Sequence, residues 1–285
     1  MGRRQSGWSQ KKQGDRHKAQ SEWPHDAPPL ASSTKHLTTL RYPLPFLRKY
    51  ATLCQNDTSG STGSSLWLSA QVMACYMQAT ADTYFASVPK ARLASGQPRP
   101  KALELGAGVG LNSVLLAAFG WDAFATDIEP SFSQVLNPTI ESNRSLFEGE
   151  GDTGTVNALP LDWCASDDVI SSLVGRGNHG KETVQPIDFI LTTDTLYAGD
   201  LVHPLLHTIK RLVTPGHTRV LLALERRDPV FVERAFDCAR SIFGFSLHAV
   251  SQCELRQATE QFGNAQWDWE ELEDIEVWQL SIDQQ

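Results

Sequence analysis

From about residue 100 onward the chain alternates short apolar runs with longer amphipathic ones, and this alternation limits the fold more than any other feature. The apolar runs predict strands at 101–105, 123–127, 156–161, 187–193 and 219–224. Helices fill the intervals, near 111–119, 130–147, 166–174, 201–213 and 229–243. Strand-helix-strand units close with right-handed crossovers, which lay the strands parallel and return the helices to both faces of one sheet. A run at 245–250 and a last one at 275–282 read as a strand followed by a late antiparallel strand. The expected class is α/β: a doubly wound, mostly parallel seven-stranded sheet with an antiparallel last strand and helices on both faces. Ligands of such sheets sit beyond the carboxyl ends of the strands, at the point where the winding reverses.

The chain divides into three parts. Residues 1–36 are polar, aperiodic and interrupted by Pro24, Pro28 and Pro29, so a disordered tail is expected. That tail is locally basic: Arg3, Arg4, Lys11, Lys12, Arg16, Lys18 and Lys35 outnumber Asp15, Glu22 and Asp26. It reads as a solvated extension, with a targeting or RNA-tethering role as the alternative. Residues 37–99 read as an extension that packs on the core, with a flexible loop at 56–65 and then a helix marked by Leu66, Ala70, Met73, Ala74 and Met77. Residues 100–285 form the main domain.

Composition removes several classes of function. With 285 residues and 41% hydrophobic content, the chain can bury one sizeable core. Twenty-five basic against 33 acidic residues give a net charge of −8, which is not the footprint of a nucleic-acid binder. The five cysteines are scattered and form no C-x-x-C pair, so they read as reduced thiols without zinc. No apolar run approaches the roughly 18 to 20 residues that cross a bilayer, and no apolar segment follows the charges of "MGRRQSGWSQKKQGDRHK". A cytoplasmic or nuclear protein without a membrane partner is expected. His203 and His207 have helical i, i+4 spacing but no third ligand, so they read as a surface helix rather than a metal site.

The stretch "LELGAGVGLNSVLLAAFGWDAFATD" follows the first core strand and ends with the second. Its glycines, Gly106, Gly108 and Gly110, are spaced G-x-G-x-G, and Leu111 stands where a dinucleotide fingerprint would place its third glycine. A loop without side chains lets a ligand lie against the backbone, and Glu104 adds negative charge at the strand end. Asp127 closes the next strand, where an acid commonly accepts two ribose hydroxyl hydrogen bonds. A ribosylated ligand with an amino group fits both acids better than a dinucleotide does, and S-adenosylmethionine is such a ligand.

From about Leu66 onward the sequence resembles the seven-strand, Rossmann-like methyltransferases, and within them the protein-lysine methyltransferase family marked by an acid-x-x-Tyr motif after the fourth core strand. Four separated motifs carry the resemblance: "GSSLWLSA", "LELGAGVGL", "LPLDW" and "DFILTTDTLYAGDLVHPLL". It implies that Trp67 and Trp163 border the cofactor, that Asp162 lies near the adenine amino group, and that S-adenosylmethionine is the cofactor. It also implies a protein substrate carrying the target lysine, and a monomer. The acid-x-x-Tyr pair is Asp194 and Tyr197: Asp194 would orient the substrate nitrogen and Tyr197 complete the pocket wall. "LLALERRD" after the fifth strand resembles members acting on a nucleic-acid-associated protein.

Residues 260–276 hold seven acids and no Lys or Arg, which would attract a basic protein surface, and Trp267 and Trp269 within them read as interface residues. Two other functions fit the same fold: an N-methyltransferase acting on a small amine or nucleobase, and an inactive interaction module. Against the nucleobase, "DTLY" lacks the paired prolines of the D-P-P-Y motif that clamps a flipped base.

Overall fold

The computed structural model describes residues 27–56, 62–149, 151–175, 186–264 and 266–282. Two antiparallel strands, β1 (Thr39–Leu44) and β2 (Lys49–Cys54), open the chain as a hairpin that the sequence reading missed. Its cue is a short alternation in which Leu40, Tyr42 and Leu44 are buried while Thr39 and Arg41 face solvent. Then follow α1 (Leu68–Ala79) and α2 (Ser87–Ala94).

The core runs β3 (Lys101–Leu105), α3 (Leu111–Ala118), β4 (Asp122–Asp127), α4 (Asn137–Asn143), β5 (Val156–Pro160), α5 (Asp167–Gly175), β6 (Phe189–Thr193), α6 (Gly199–Leu212), β7 (Arg219–Glu225) and α7 (Pro229–Ser241). It ends with β8 (Ser246–Ala249), α8 (Gln252–Phe262) and β9 (Ile275–Ser281). The hairpin is clipped to α4, where Thr52 N–H donates to Asn143 Oδ1 (2.8 Å) and Asn143 Nδ2 donates to the Thr52 carbonyl (2.7 Å).

The seven core strands lie in the order β5-β4-β3-β6-β7-β9-β8. β3 to β7 pair in parallel, and β9 runs antiparallel to both β7 and β8, so it alone points against the rest. Strand alternation feeds two apolar layers. Phe189 and Leu191 of β6 pack with Met73 of α1, Leu115 of α3 and Leu255 of α8. Ile190, one residue out of phase, packs with Ile170 of α5, Leu206 of α6 and Phe236 of α7. Helices therefore cover both faces, as expected. The chain winds outward from β3 through β4 to β5 and then returns to β6, so the reversal falls between β3 and β6.

The expected disordered tail needs correcting at its end. Pro28 and Ala31 are buried. Ala31 N–H donates to Gln71 Oε1 (2.6 Å), Gln71 Nε2 donates to the Pro29 carbonyl (2.9 Å), and Trp267 Nε1 donates to the Pro28 carbonyl (3.1 Å). Polar, proline-rich composition hid this segment because side-chain amides and an indole hold its backbone, not an apolar period. The rest of the expected tail, 1–26, and positions 57–61 of the loop lie outside the described residues.

Trp267 and Trp269 were expected at an exposed interface. They are half-buried and packed against the first apolar layer, with Trp267 fastening the amino-terminal segment. Several of the neighbouring acids are also engaged internally: Asp268 accepts from Glu270 N–H (3.0 Å), and Glu276 pairs with Arg226 (2.7 Å). Helix α8 stands where no apolar period predicts a helix, and it begins with a capping box in which Ser251 and Glu254 bond each other's backbone N–H.

Candidate functional site

The carboxyl ends of β3, β4 and β6 and the segments following β5 and β7 surround a cleft of about 190 Å³ at the reversal point. Gly106, Gly108, Asp127, Asp162, Trp163 and Asp194 line it, with Trp67, Tyr197 and Arg227 around them.

The glycine loop is held in the left-handed region, with φ of 67° at Gly106 and 52° at Gly108. Space forbids side chains there as well. A Cβ on Gly106 would stand 2.7 Å from Thr195 Cγ2 and 3.1 Å from the Trp163 ring, and one on Gly108 would stand 3.2 Å from the Gly63 carbonyl oxygen. Gly110, expected to face the ligand with the other two, faces Leu136 instead: its Cβ would stand 2.9 Å from Leu136 Cδ1, and it does not line the cleft. Its role is to let the start of α3 pack closely on the segment leading into α4.

Glu104 also departs from expectation. It is buried beneath the loop and does not line the cleft. One oxygen accepts from Ser113 N–H (2.9 Å) and Ser113 Oγ (2.6 Å), and the other accepts a long contact from Asn112 Nδ2 (3.4 Å). Burial pushes the Glu104 carboxyl up to about 7, outweighing these hydrogen bonds. Glu104 therefore anchors the first turn of α3 and is not a fixed negative charge facing a ligand. Asn112, which the sequence reading passed over, does line the cleft, and its buried Oδ1 has no hydrogen-bond partner among the described residues.

Asp127, the last residue of β4, lines the cleft. Oδ2 accepts from Gly108 N–H (2.8 Å) and Oδ1 from Ile128 N–H (2.8 Å). Burial raises its pKa and the two backbone bonds oppose that rise. Each carboxylate oxygen accepts one of these bonds and has capacity for another. Asp162 sits exposed at the rim, where its Oδ1 accepts from Cys164 N–H (2.8 Å) and shapes the turn after β5. Trp163, the next residue, is half-buried against the second apolar layer. Trp67 donates its indole N–H to the Thr62 carbonyl (2.7 Å).

Asp194 and Tyr197 follow β6. Asp194 has φ 56°, a left-handed conformation that costs a non-glycine residue roughly 1–2 kcal/mol and tends to persist at functional sites. Its N–H donates to the Ala223 carbonyl (2.8 Å), which fixes the turn against β7. The side chain is 7% exposed, and Oδ2 accepts from Arg227 Nη2 (2.6 Å). Burial raises the Asp194 pKa, with the Arg227 guanidinium pulling the other way. Tyr197 stands exposed at the rim. Arg227, whose stretch was noted in the sequence but given no role, also bonds Glu225 and stacks over Trp67 with its Cζ 4.9 Å from the ring centre. Lys35 places its ammonium 4.1 Å from the same ring centre.

His207 Nε2 lies 2.8 Å from Asp167 Oδ1. No group of three or more metal-ligating side chains is found among the described residues, and no helix among them is long and apolar enough to cross a membrane.

The sequence profile of a family described as lysine methyltransferase matches residues 49–236, well over half of the chain. The chain belongs to this family. Among solved structures it is similar to cofactor-bound Rv0187 from MTB, with 12% identity over 75% of this chain and 89% of that one (TM-score 0.43). Two others are the N-methyltransferase NodS from Bradyrhizobium japonicum with S-adenosyl-L-homocysteine, at 11% identity over 76% and 86% (TM-score 0.40), and magnesium protoporphyrin IX methyltransferase from Synechocystis with bound SAM, at 14% identity over 74% and 84% (TM-score 0.39). This methyltransferase places Asp194 and Tyr197 in the lining of the cleft.

Proposed function

We propose that this methyltransferase transfers a methyl group from S-adenosylmethionine to the ε-amine of a lysine in a protein substrate. The observation that carries the reading is the nearly buried Asp194 carboxylate, held in a strained turn between the cleft and the aromatic rim of Trp67 and Tyr197.

The residues present suit the donor. Asp127 has hydrogen-bonding capacity for two ribose hydroxyls beside the bare backbone of Gly106 and Gly108, and the orphan Asn112 Oδ1 suits an amino group. Trp163 and Asp162 would border the adenine, with Trp67 on the rim. When bound, that donor supplies an electrophilic methyl whose C–S bond breaks as the N–C bond forms, the electron pair leaving on sulfur. The protein's own work is alignment and exclusion of water, which can offset much of such a barrier. Its second task is the acceptor proton: with a reference pKa of about 10.4, the neutral lysine amine at pH 7 costs about 4.6 kcal/mol. Aromatic surface on Trp67 and Tyr197 desolvates the amine and so lowers that cost, while Asp194 orients the nitrogen.

Incubation of a lysate with tritiated S-adenosylmethionine and the protein tests the assignment. Label should enter protease-sensitive, nuclease-resistant material, and Asp194→Asn should abolish transfer while leaving affinity for S-adenosylhomocysteine within a few-fold. Label lost to nuclease but kept after protease would overturn the lysine acceptor. Equal loss of transfer and cofactor affinity in Asp194→Asn would remove Asp194 from the acceptor side.

A further inference from the structure

A lysine acceptor arrives as an ammonium ion, and a bare Asp194 carboxylate would hold that proton in place, because an opposite charge favours the charged form. In the structure the carboxylate is not bare. Arg227 Nη2 lies 2.6 Å from Asp194 Oδ2, the same nitrogen bonds Glu225, and the guanidinium is stacked over Trp67. Held by two carboxylates and an indole face together, Arg227 is anchored in place.

The other titratable groups around the slot come from every neighbouring element. Lys35 reaches Trp67 from the amino-terminal segment, Tyr197 follows Asp194, and Asp127 and Asp162 stand around the rest of the cleft, with Cys164 beside Asp162 and Asp200 near Cys164. Around Trp67 itself two carboxylates, Asp194 and Glu225, are met by two cations, Arg227 and Lys35, and the formal charge cancels.

We propose that Arg227 is a positioning residue for the acceptor: its ion pair offsets the charge of Asp194, with Lys35 balancing Glu225, so that the slot takes lysine as the uncharged amine while Asp194 still orients the N–H. The proposal rests on the lysine reading above. The ammonium proton passes to water before transfer, and the guanidinium, a like charge, disfavours its return. Arg227 would thus lower the acceptor pKa without touching the acceptor, which a structural role alone would not do.

Two measurements test this. In the first, which needs no acceptor, carbon-13 carboxyl NMR follows the titration of Asp194, assigned through Asp194→Asn. Arg227→Gln should raise the Asp194 pKa by about one unit, and Arg227→Lys by less. An unmoved titration would overturn the proposal. In the second, methyl transfer to the labelled lysate protein is measured from about pH 6.5 to about pH 10. The rise of kcat with pH, which reports the bound acceptor, should move up by about one unit or more in Arg227→Gln, costing about tenfold near pH 7 and recovering in alkali, and it should stay near the wild-type position in Arg227→Lys. A loss equal at every pH, or a tenfold loss of S-adenosylhomocysteine affinity in Arg227→Gln, would overturn the proposal and leave the lysine reading standing. Label entering nuclease-sensitive material would sink the lysine reading, and this role for Arg227 with it.

Discussion

Glu104→Gln isolates the buried carboxyl beneath the glycine loop. In the folded protein that carboxyl is pushed from an ordinary 4.5 to about 7, because burial outweighs its bonds to Ser113 and Asn112. A raised pKa means that the folded state holds the proton more tightly than the unfolded chain does. The contribution is fully present below about pH 4.5 and is lost as pH rises through about 7. Raised from 4.5 to about 7, the carboxyl carries a full penalty on the order of 3 kcal/mol, most of which develops between pH 5 and pH 8.

Glutamine matches the protonated acid in shape. Its oxygen can still accept from Ser113, and its amide can donate to the orphan Asn112 Oδ1 after that side chain turns over. Urea denaturation of both proteins at pH 5 and pH 8 measures the effect, since every other titrating group cancels in the difference. The variant should gain roughly 2–3 kcal/mol relative to wild type between the two conditions. A difference that does not change with pH would refute the reasoning, and so would one that changes in the opposite direction.

Asp127→Asn should weaken S-adenosylhomocysteine about tenfold to a hundredfold by isothermal titration, because charge-assisted hydrogen bonds contribute about 1.5–3 kcal/mol; unchanged affinity would move the ribose elsewhere. Gly108→Val places a branched side chain at φ 52° against the Gly63 carbonyl, and should abolish that binding while costing roughly 1–2 kcal/mol of stability; retained binding would take the loop out of the site. Trp267→Phe keeps a ring but removes the N–H bonded to Pro28, and hydrogen exchange at the Ala31 amide should quicken by roughly fivefold for about 1 kcal/mol lost. Unaltered exchange there would show that Trp267 does not fasten the segment.

The core was legible because its signals are local and periodic. Apolar runs at period two, spaced by amphipathic segments, place β3 to β7 in nearly the observed positions, and the late run at 275–282 gives β9. The hairpin β1–β2 was lost because only Leu40, Tyr42 and Leu44 carry its alternation, with Pro43 among them. Order at 27–36 depends on Gln71 and Trp267, partners about 40 and 240 residues away, which no local window contains.

Within the cleft, Asp127 and the bare loop at Gly106 and Gly108 were legible because strand ends and glycine spacing mark them, and Asp194 because it belongs to a motif that carries the resemblance. The orientation of Glu104 was not. A carboxylate at a strand end can turn towards the ligand or under the following helix, and the Ser113 N–H and hydroxyl decide which. Arg227 was hidden for a similar reason. In "ERRD" adjacent arginines take opposite tasks, Arg226 pairing with Glu233 and Glu276 while Arg227 turns to Asp194, and only the fold separates them.

The most direct measurement of the central claim is amino-acid analysis of the protein that takes tritium from labelled S-adenosylmethionine in the presence of this enzyme. Acid hydrolysis should release the label as ε-N-methyllysine, in wild type and not in Asp194→Asn. Label on any other amino acid, or on a base or small amine, would contradict it.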